Sequence, residues 1–234
     1  MTVRLSIVIP AYNEEWTIAS VVADHRAIAA SLTSSFEIIV CDDGSTDGTA
    51  AQLESARSAA PELAVIGNPT NAGIPATMKR LYELARGEWI YFAPADGQVP
   101  ADGLRRMWDV RDGAALVVGR RVPRRDPLAR ILMAEVYSAV IRTAFRLPVR
   151  DIDSVKLYRA ADLRAVAIRS ASNFFEAEIL IEIHRAGRVV REVVVEHRPR
   201  VAGRAKGVTP RGALLAIYEL SSFMVRDRLR TWSR

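Results

Sequence analysis

The feature that most constrains the fold is the alternation of short apolar runs with longer amphipathic segments in the first half of the chain. The apolar runs are rich in Ile and Val, as strands are, whereas the segments between them repeat their apolar residues at helical spacing. This alternation predicts right-handed βαβ units and a mostly parallel sheet that is covered by helices on both faces. The predicted strands are 5–10, 36–41, 63–66, 89–92 and 115–119, and the predicted helices are 14–32, 47–59 and 74–86.

The second half of the chain is less regular. It contains predicted helices at 127–145, 174–186 and 210–229, and strands at 155–158 and 189–195, the last of which we expect to be antiparallel at one side of the sheet. The chain shows no internal repeat, low-complexity tract or linker, and 50% of its 234 residues are apolar, which is enough to bury a core. We therefore expect one domain, 1–234.

Charge is distributed unevenly between two halves of this domain. Residues 1–110 contain 8 Lys and Arg against 14 Asp and Glu, whereas residues 111–234 contain 25 against 13. The first half therefore has the groups to hold a metal ion or a nucleoside, and the second has the arginines to hold phosphates or to meet anionic lipid. We therefore expect the acidic half, 1–110, and the basic half, 111–234, to have different roles, with an amphipathic helix at the end of the basic half.

Several classes of protein are disfavoured by what the sequence lacks. A single cysteine, Cys41, excludes an intrachain disulfide, and no apolar run reaches the ~18–20 residues that span a bilayer. The sequence begins without a signal-peptide pattern, so we expect a cytoplasmic protein, at most peripheral at the inner face of a membrane. His25, His184 and His197 are isolated in sequence and are expected to be structural or at the surface. We expect no nucleic-acid partner.

Polar turns follow three of the predicted strands. They are 11–14, 42–45 and 94–98, and each contains a carboxylate. Because ligands bind at the carboxyl ends of parallel strands, these turns should gather at one edge of the sheet. The nucleotide-binding motifs G-x-G-x-x-G after a strand and G-x-x-x-x-G-K-[ST] are absent, so neither a dinucleotide site nor a P-loop is expected.

The polar turns belong to motifs that resemble a known family. The motifs are IVIPAYNE at 7–14, IVCDDGSTDGT at 39–49, NAG at 71–73, an Asp-bearing loop after the strand at 89–92, and RVAGRAK at 200–206. In this order and spacing they resemble the family 2 inverting glycosyltransferases, most closely the polyprenol-phosphate branch. The resemblance implies an α/β fold of the GT-A type, a Rossmann-like, mostly parallel twisted sheet with a small antiparallel C-terminal part.

The resemblance also implies which residues bind the sugar donor. Tyr12 can stack on a nucleobase, Glu14 can accept hydrogen bonds from ribose, and Asp43 can accept the imide N–H of the base. Glu14 and Glu15 could instead favour a helix N-terminus, and Asp42, Ser45 and Asp47 could cap turns. The full set implied for the nucleotide sugar is Pro10, Ala11, Tyr12, Glu14, Cys41, Asp43, Ala95, Asp96, Arg121, Arg200 and Lys206.

The loop at 94–98 departs from the family pattern. The family has Asp-x-Asp there, which holds Mg²⁺ or Mn²⁺ against the diphosphate, whereas this chain has Pro94 in place of the first Asp. The resemblance still implies a Mg²⁺ or Mn²⁺ site at Asp96 and Gln98, or arginines that take over part of the neutralisation. It makes Asp96 and Arg121 the candidate catalytic residues.

The acceptor side is less well defined by sequence. The segment 151–159 is one residue shorter than the family form. Asp151 or Asp153 could face the acceptor, and Asp153 is the candidate general base. Arg124, Arg125 and Arg130 could hold an acceptor phosphate, touch lipid or be solvated, and the last helix could lie on a bilayer or pack on the core. The resemblance implies transfer from a UDP- or GDP-sugar to a polyprenyl phosphate. It makes 1–110 the nucleotide-binding half and 111–234 the basic half for acceptor and diphosphate.

Two alternatives stay open at this point. One is a glycosyltransferase for a soluble small-molecule or glycan acceptor. The other is a nucleotide-sugar-binding module with little turnover, suggested by Pro94. A nucleotidyltransferase is disfavoured because its Gly-rich N-terminal signature is absent.

Overall fold

Seven strands form one twisted sheet in the computed structural model of the protein, which describes residues 3–201 and 210–232. Their order across the sheet is β3-β2-β1-β4-β6-β5-β7. The strands are β1 (Leu5–Ala11), β2 (Phe36–Asp42), β3 (Leu63–Gly67), β4 (Trp89–Phe92), β5 (Leu116–Arg121), β6 (Lys156–Arg159) and β7 (Val190–Val195).

All of these strands except β6 run in the same direction. Strand β1 pairs in parallel with β2 and β4, β2 with β3, and β5 with β7, whereas β6 lies antiparallel between β4 and β5. The mostly parallel sheet with a small antiparallel part is thus confirmed.

The antiparallel strand is not the one that the sequence suggested. Strand β7 was expected to be antiparallel, but it is parallel to β5. The reason lies in the path of the preceding chain. Residues 171–176 reach the edge at which the parallel strands end, and a helix (Phe175–Arg185) then returns the chain to the opposite edge. Strand β7 therefore starts where β5 starts.

Helices cover both faces of the sheet, as predicted. They are α1 (Ile18–Leu32), α2 (Thr49–Ala59), α3 (Ile74–Leu84), α4 (Asp102–Asp109), α5 (Leu128–Phe145), α6 (Ala160–Arg164), α7 (Phe175–Arg185) and α8 (Pro210–Trp232). Helices α1, α2 and α4 pack on one apolar cluster, and α3, α5, α7 and α8 pack on the other. Within the described ranges, no helix is long and apolar enough to cross a membrane.

Burial on both faces explains why the strands are continuously apolar. In β1 all residues are buried, with Val8 in one cluster and Leu5, Ile7 and Ile9 in the other. The short helices α4 and α6 were missed because eight and five residues give too little periodicity to recognise.

Gly44 is required where the loop after β2 meets the loop after β3. Its φ is +72°, and a Cβ added to it would lie 2.7 Å from the backbone carbon of Thr70 and 2.8 Å from the nitrogen of Asn71. A side chain there would therefore be strained and would push these two loops apart.

Replacing Gly44 by Ala should destabilise the protein more than the same change at Gly187. Gly187 has a similar φ of +70°, but a Cβ there would meet nothing within 4 Å. G187A should cost about 1 kcal/mol for the left-handed backbone alone. G44A should cost about 1–3 kcal/mol more because of the backbone contacts. Urea denaturation of both variants measures the difference, and equal losses would mean that the two loops do not need a glycine where they meet.

Candidate active site

A cleft of about 470 Å³ lies at the edge where the parallel strands end. Several residues that were predicted from the sequence line it together: Pro10, Tyr12, Glu14, Asp43, Ala95, Asp96, Gln98, Arg121, Asp153 and Arg200. Ala11 and Cys41 are instead buried within β1 and β2, so their side chains face the core. Lys206 lies outside the described residues.

Cys41 is a core residue by its chemistry as well. Its side chain is fully buried, and burial raises the pKa of the thiol to about 11. The thiol is therefore protonated and unreactive at neutral pH, and the side chain of Cys41 packs within the core beneath the cleft.

Hydrogen bonds join the first two site loops to each other. The backbone N–H of Asn13 donates to Ser45 Oγ (2.9 Å), and Asn13 Oδ1 accepts from the N–H of Thr46 (2.7 Å). Glu15 Oε2 accepts from the N–H of Gly48 (2.8 Å). These motif residues position the loops. Ser45 was considered as a cap, but its hydroxyl instead joins the two loops, and Gly48 is the N-cap of α2.

Asp43 is buried at the bottom of the cleft and accepts hydrogen bonds from three internal donors. Its Oδ1 accepts from Asn68 Nδ2 (2.7 Å) and from the N–H of Ala72 (2.8 Å), and its Oδ2 accepts from the N–H of Gly73 (2.9 Å). A carboxylate offers about four acceptor positions. Asp43 therefore orders the loop at 68–73 and retains capacity for about one donor from a ligand.

Arg200 connects the basic half of the chain to two carboxylates of the acidic half. Its guanidinium lies 3.3 Å from Glu14 Oε1 and 2.6 Å from Asp96 Oδ2. All three side chains are less than one fifth exposed, at 18, 13 and 17% for Arg200, Glu14 and Asp96. Charge-assisted hydrogen bonds of this kind are short and strong when they are shielded from water.

The loop that contains Asp96 is attached to the segment before Arg200. Asp96 Oδ1 accepts from the N–H of Gln98 (3.1 Å), and Gln98 Nε2 donates to the carbonyl of Arg198 (3.2 Å). The N–H of Arg198 donates in return to the carbonyl of Gln98 (2.7 Å). The two predicted metal ligands are thereby held next to Arg200.

These residues fit a metal ion only in part. No cluster of three or more His, Cys, Asp or Glu that could hold a metal occurs among residues 3–201 and 210–232. Mg²⁺ is often bound by one or two carboxylates together with substrate phosphates, and Asp96 can supply one carboxylate. Its Oδ2 is paired with Arg200, so a cation at Asp96 would have to displace the guanidinium.

Arg121 is held by Asp151. Its Nε and Nη2 donate to the two oxygens of Asp151 at 2.8 Å each, and Nη2 also donates to the carbonyl of Asp153 (2.6 Å). Burial alone would raise the pKa of Asp151, but the hydrogen bonds from Arg121 hold it below its ordinary value. Arg121 thus fixes the segment before β6.

Asp153 lines the cleft with an accessible side chain. Beside it lies Glu176, which accepts hydrogen bonds from the hydroxyls of Tyr82 (2.7 Å) and Tyr158 (2.6 Å). This side of the cleft is therefore built from β6 and the start of α7.

Sequence reasoning missed His197, which lies in the cleft just after β7. Its Nδ1 accepts from the N–H of Arg125 (3.0 Å), and its Nε2 lies 3.9 Å from Asp126 Oδ2. Asp126 is also paired with Arg124 (2.8 Å). Because β7 is parallel to β5, its carboxyl end meets the other site loops. Since β7 was expected to be antiparallel, the sequence did not predict that His197 reaches the cleft.

The buried His197 should make stability depend on pH. Burial, and then the positive charge of Arg121, lower the pKa of its imidazole. In the unfolded chain a histidine titrates near pH 6.5, so below about pH 6.5 the unfolded state takes up a proton before the folded state does. The free energy of unfolding should therefore fall as pH drops from 7.5 to 5.5, with a slope of at most about 1.4 kcal/mol per pH unit from this residue.

Urea denaturation across this pH range measures the slope. His197→Gln should make it shallower, whereas His184→Gln, a change outside the cleft, should not. His25, which is also buried with a lowered pKa, should retain part of the slope in both variants. An unchanged slope in H197Q would show that the residue does not titrate differently on folding.

The family of the chain follows from comparison of its sequence and structure with known proteins. The model of glycosyl transferase family 2 matches residues 6–167. An undecaprenyl-phosphate 4-deoxy-4-formamido-L-arabinose transferase from Pseudomonas savastanoi pv. phaseolicola is 30% identical over 98% of this chain and 68% of that protein. An uncharacterized glycosyltransferase of Mycobacterium tuberculosis is 28% identical over 92% of this chain and 95% of that protein.

Solved structures agree in fold. Glucosyl-3-phosphoglycerate synthase from Mycobacterium tuberculosis, in complex with Mn²⁺, uridine diphosphate and glucosyl-3-phosphoglycerate, matches with a TM-score of 0.69 and 19% identity. The match covers 95% of this chain and 79% of that one. The GT-A fold expected from the motifs is thereby confirmed. Since the family model also covers most of the chain, the protein belongs to glycosyltransferase family 2 and is a glycosyltransferase.

Proposed function

We propose that the protein transfers a sugar from a UDP- or GDP-sugar to a polyprenyl phosphate at the cytoplasmic face of a membrane, with inversion at the anomeric carbon. The observation that supports this most is the meeting of Glu14, Asp43 and Asp96, each from a different strand end, with Arg200 from the basic half. The name of the Pseudomonas relative supports a lipid-phosphate acceptor, and the uridine diphosphate in the solved relative supports the donor.

The nucleoside would occupy the part of the cleft lined by Tyr12, Glu14 and Asp43. The remaining acceptor capacity of Asp43 suits one imide N–H, which is present in uracil and has an equivalent in guanine. Tyr12 offers an aromatic face or edge to the base, and Glu14 offers oxygens to ribose hydroxyls. Pro10 closes this end of the cleft as an apolar wall.

The diphosphate would meet the cationic side of the cleft. Arg200 and Arg121 supply hydrogen-bond donors, and Arg130 lines the same cleft. A Mg²⁺ or Mn²⁺ ion, held by Asp96 and the amide oxygen of Gln98, would neutralise charge on the departing diphosphate. Positioned cations of this kind stabilise the leaving group without reorganisation, which is where most of the catalysis would arise.

The reaction needs little proton transfer when the acceptor is a phosphate. An acceptor phosphate oxygen forms the new bond to the anomeric carbon while the bond from that carbon to the diphosphate breaks, and nucleoside diphosphate leaves. The acceptor is already ionised at neutral pH, so no general base is required. Catalysis then consists of holding the two reactants in line.

A soluble acceptor is the second candidate, and Asp153 favours it. A hydroxyl acceptor must lose a proton, and Asp153 is an accessible carboxylate at the acceptor side of the cleft. The solved relative is described with glucosyl-3-phosphoglycerate, a soluble product.

A transfer assay tests the proposal. The protein is incubated with UDP- or GDP-hexoses, Mn²⁺ and a short-chain polyprenyl phosphate, and the product is identified by mass and by the NMR coupling of its anomeric proton. We expect an inverted glycosyl phosphate. Asp96→Asn should lower kcat about 100-fold because the leaving diphosphate loses its neutralisation, whereas Asp109→Asn, on the exposed side of α4, should leave it unchanged.

Donor binding is measured in the same series. A donor at about 100 times its Kd should raise the free energy of unfolding by about 2.7 kcal/mol. If no sugar nucleotide stabilises the protein, the proposal is wrong. Transfer to phosphorylated small molecules but not to polyprenyl phosphate would select the second candidate, and binding without any transfer would leave a nucleotide-sugar-binding module.

Arg200 should compete with a metal ion for Asp96 in the donor-free protein. Arg200→Gln removes the guanidinium that is paired with Asp96 Oδ2, so Mn²⁺ should bind about tenfold more tightly. Arg198→Gln is the matched control, because Arg198 pairs with Glu196 at the surface. Calorimetric titration of Mn²⁺ without nucleotide measures both, and equal affinities in the two variants would exclude the competition.

A further inference from the structure

Helix α5 turns large apolar side chains towards solvent. Leu128, Leu132, Met133, Val136 and Val140 are 85, 66, 62, 55 and 47% exposed. Among its large apolar side chains only Ile141 is fully buried. An ordinary surface helix has the opposite distribution, with charged residues outside, and a contiguous exposed apolar patch marks an interaction surface.

Helix α8 lies next to α5 and shows the same property. The rings of Phe223 on α8 and Phe145 on α5 meet edge to face, with centroids 5.6 Å apart. While Phe223 packs inward, Leu214, Ile217 and Tyr218 are 68, 62 and 69% exposed. We define the α5–α8 face by its most exposed central residues: Leu132, Met133, Val136, Leu214, Ile217 and Tyr218.

Positive charge accompanies the two helices. Their sequences contain six arginines, Arg130, Arg142, Arg211, Arg226, Arg228 and Arg230, against three acidic residues, Glu135, Glu219 and Asp227. Glu135 of α5 is exposed, whereas Glu219 of α8 is engaged by the N–H groups of residues 171–172. A second copy that docked through the same face would bring the arginines together, which is unfavourable, whereas anionic lipid headgroups would attract them.

The α5–α8 face also adjoins the cleft. Arg130 of α5 and Leu215 of α8 line the cleft that contains Asp96 and Arg200. An acceptor anchored in a bilayer under this face could present its phosphate to the cleft while its hydrocarbon chain stays in the lipid.

We propose that the α5–α8 face docks on an anionic lipid bilayer, with both helices lying in the headgroup region and their apolar residues inserted. Amphipathic helices with basic residues beside an apolar stripe bind membranes in this way. The link to the acceptor rests on the function proposed above, but the docking itself does not.

Vesicle sedimentation with the full chain tests the docking. The probes are sucrose-loaded vesicles of phosphatidylcholine alone and of phosphatidylcholine with about 30% phosphatidylglycerol, a charge density that attracts basic surfaces. We expect binding to the anionic vesicles. Leu132→Glu combined with Val136→Glu should weaken it about tenfold or more, because two inserted side chains become charged.

The matched control is Leu84→Glu combined with Val189→Glu. It replaces a Leu and a Val that are 44 and 51% exposed outside α5 and α8, with the same change in net charge. The affinity of this control for anionic vesicles should be within about twofold of that of the unchanged chain, once the effect of the two added negative charges is subtracted. Thermal unfolding confirms that both double variants fold.

Three outcomes would overturn the docking. They are no binding to anionic vesicles, equal losses in the two double variants, or a concentration-dependent dimer that L132E/V136E dissociates, which would make a second copy the occupant. Donor-induced stabilisation separates this proposal from the function: it should persist in L132E/V136E. Vesicle binding without any donor binding would retain the docking and reject the function.

Discussion

The shared direction of six strands is the constraint on which the site depends. Because β1, β2 and β4 end at the same edge, the loops that follow them bring Glu14, Asp43 and Asp96 into one cleft. Strand β6 supports this arrangement by running the other way, since the residues just before it, including Asp153, then lie at that same edge. The direction of the strands thus brings together residues that are far apart in sequence.

Ion pairs connect the acidic half of the chain to the basic half. The acidic half supplies the carboxylates of the cleft, and the basic half supplies Arg121 and Arg200, each of which is paired inside the protein. Leaving any of these charges buried without a partner would cost several kcal/mol. Internal ion pairs therefore balance the charges of the cleft in the absence of a ligand. Under the proposed function, donor binding would exchange these partners of Arg200 and Asp96. Specificity would depend on how well a donor replaces those contacts.

The strands and several cleft residues could be predicted from the sequence, because local residue patterns determine the strands and the turns that follow them. The apolar runs located the strands to within a residue or two, and strand-end turns identified Tyr12, Asp43 and Asp96 as cleft residues. The direction of β7 was not predictable, because strand direction depends on the path of the preceding chain. His197 was missed for the same reason, and the pairing of Arg200 with Glu14 spans 186 residues, which no local pattern can show.

The buried thiol of Cys41 has a practical consequence. In the folded protein it is protonated and sealed between layers, so alkylating reagents should reach it only when strand β2 separates from its neighbours. Since Asp43 follows Cys41 by two residues at the same strand end, the rate of alkylation would report how often this wall of the cleft opens. The alkylation rate of Cys41 therefore measures local opening at this edge of the sheet without an added label.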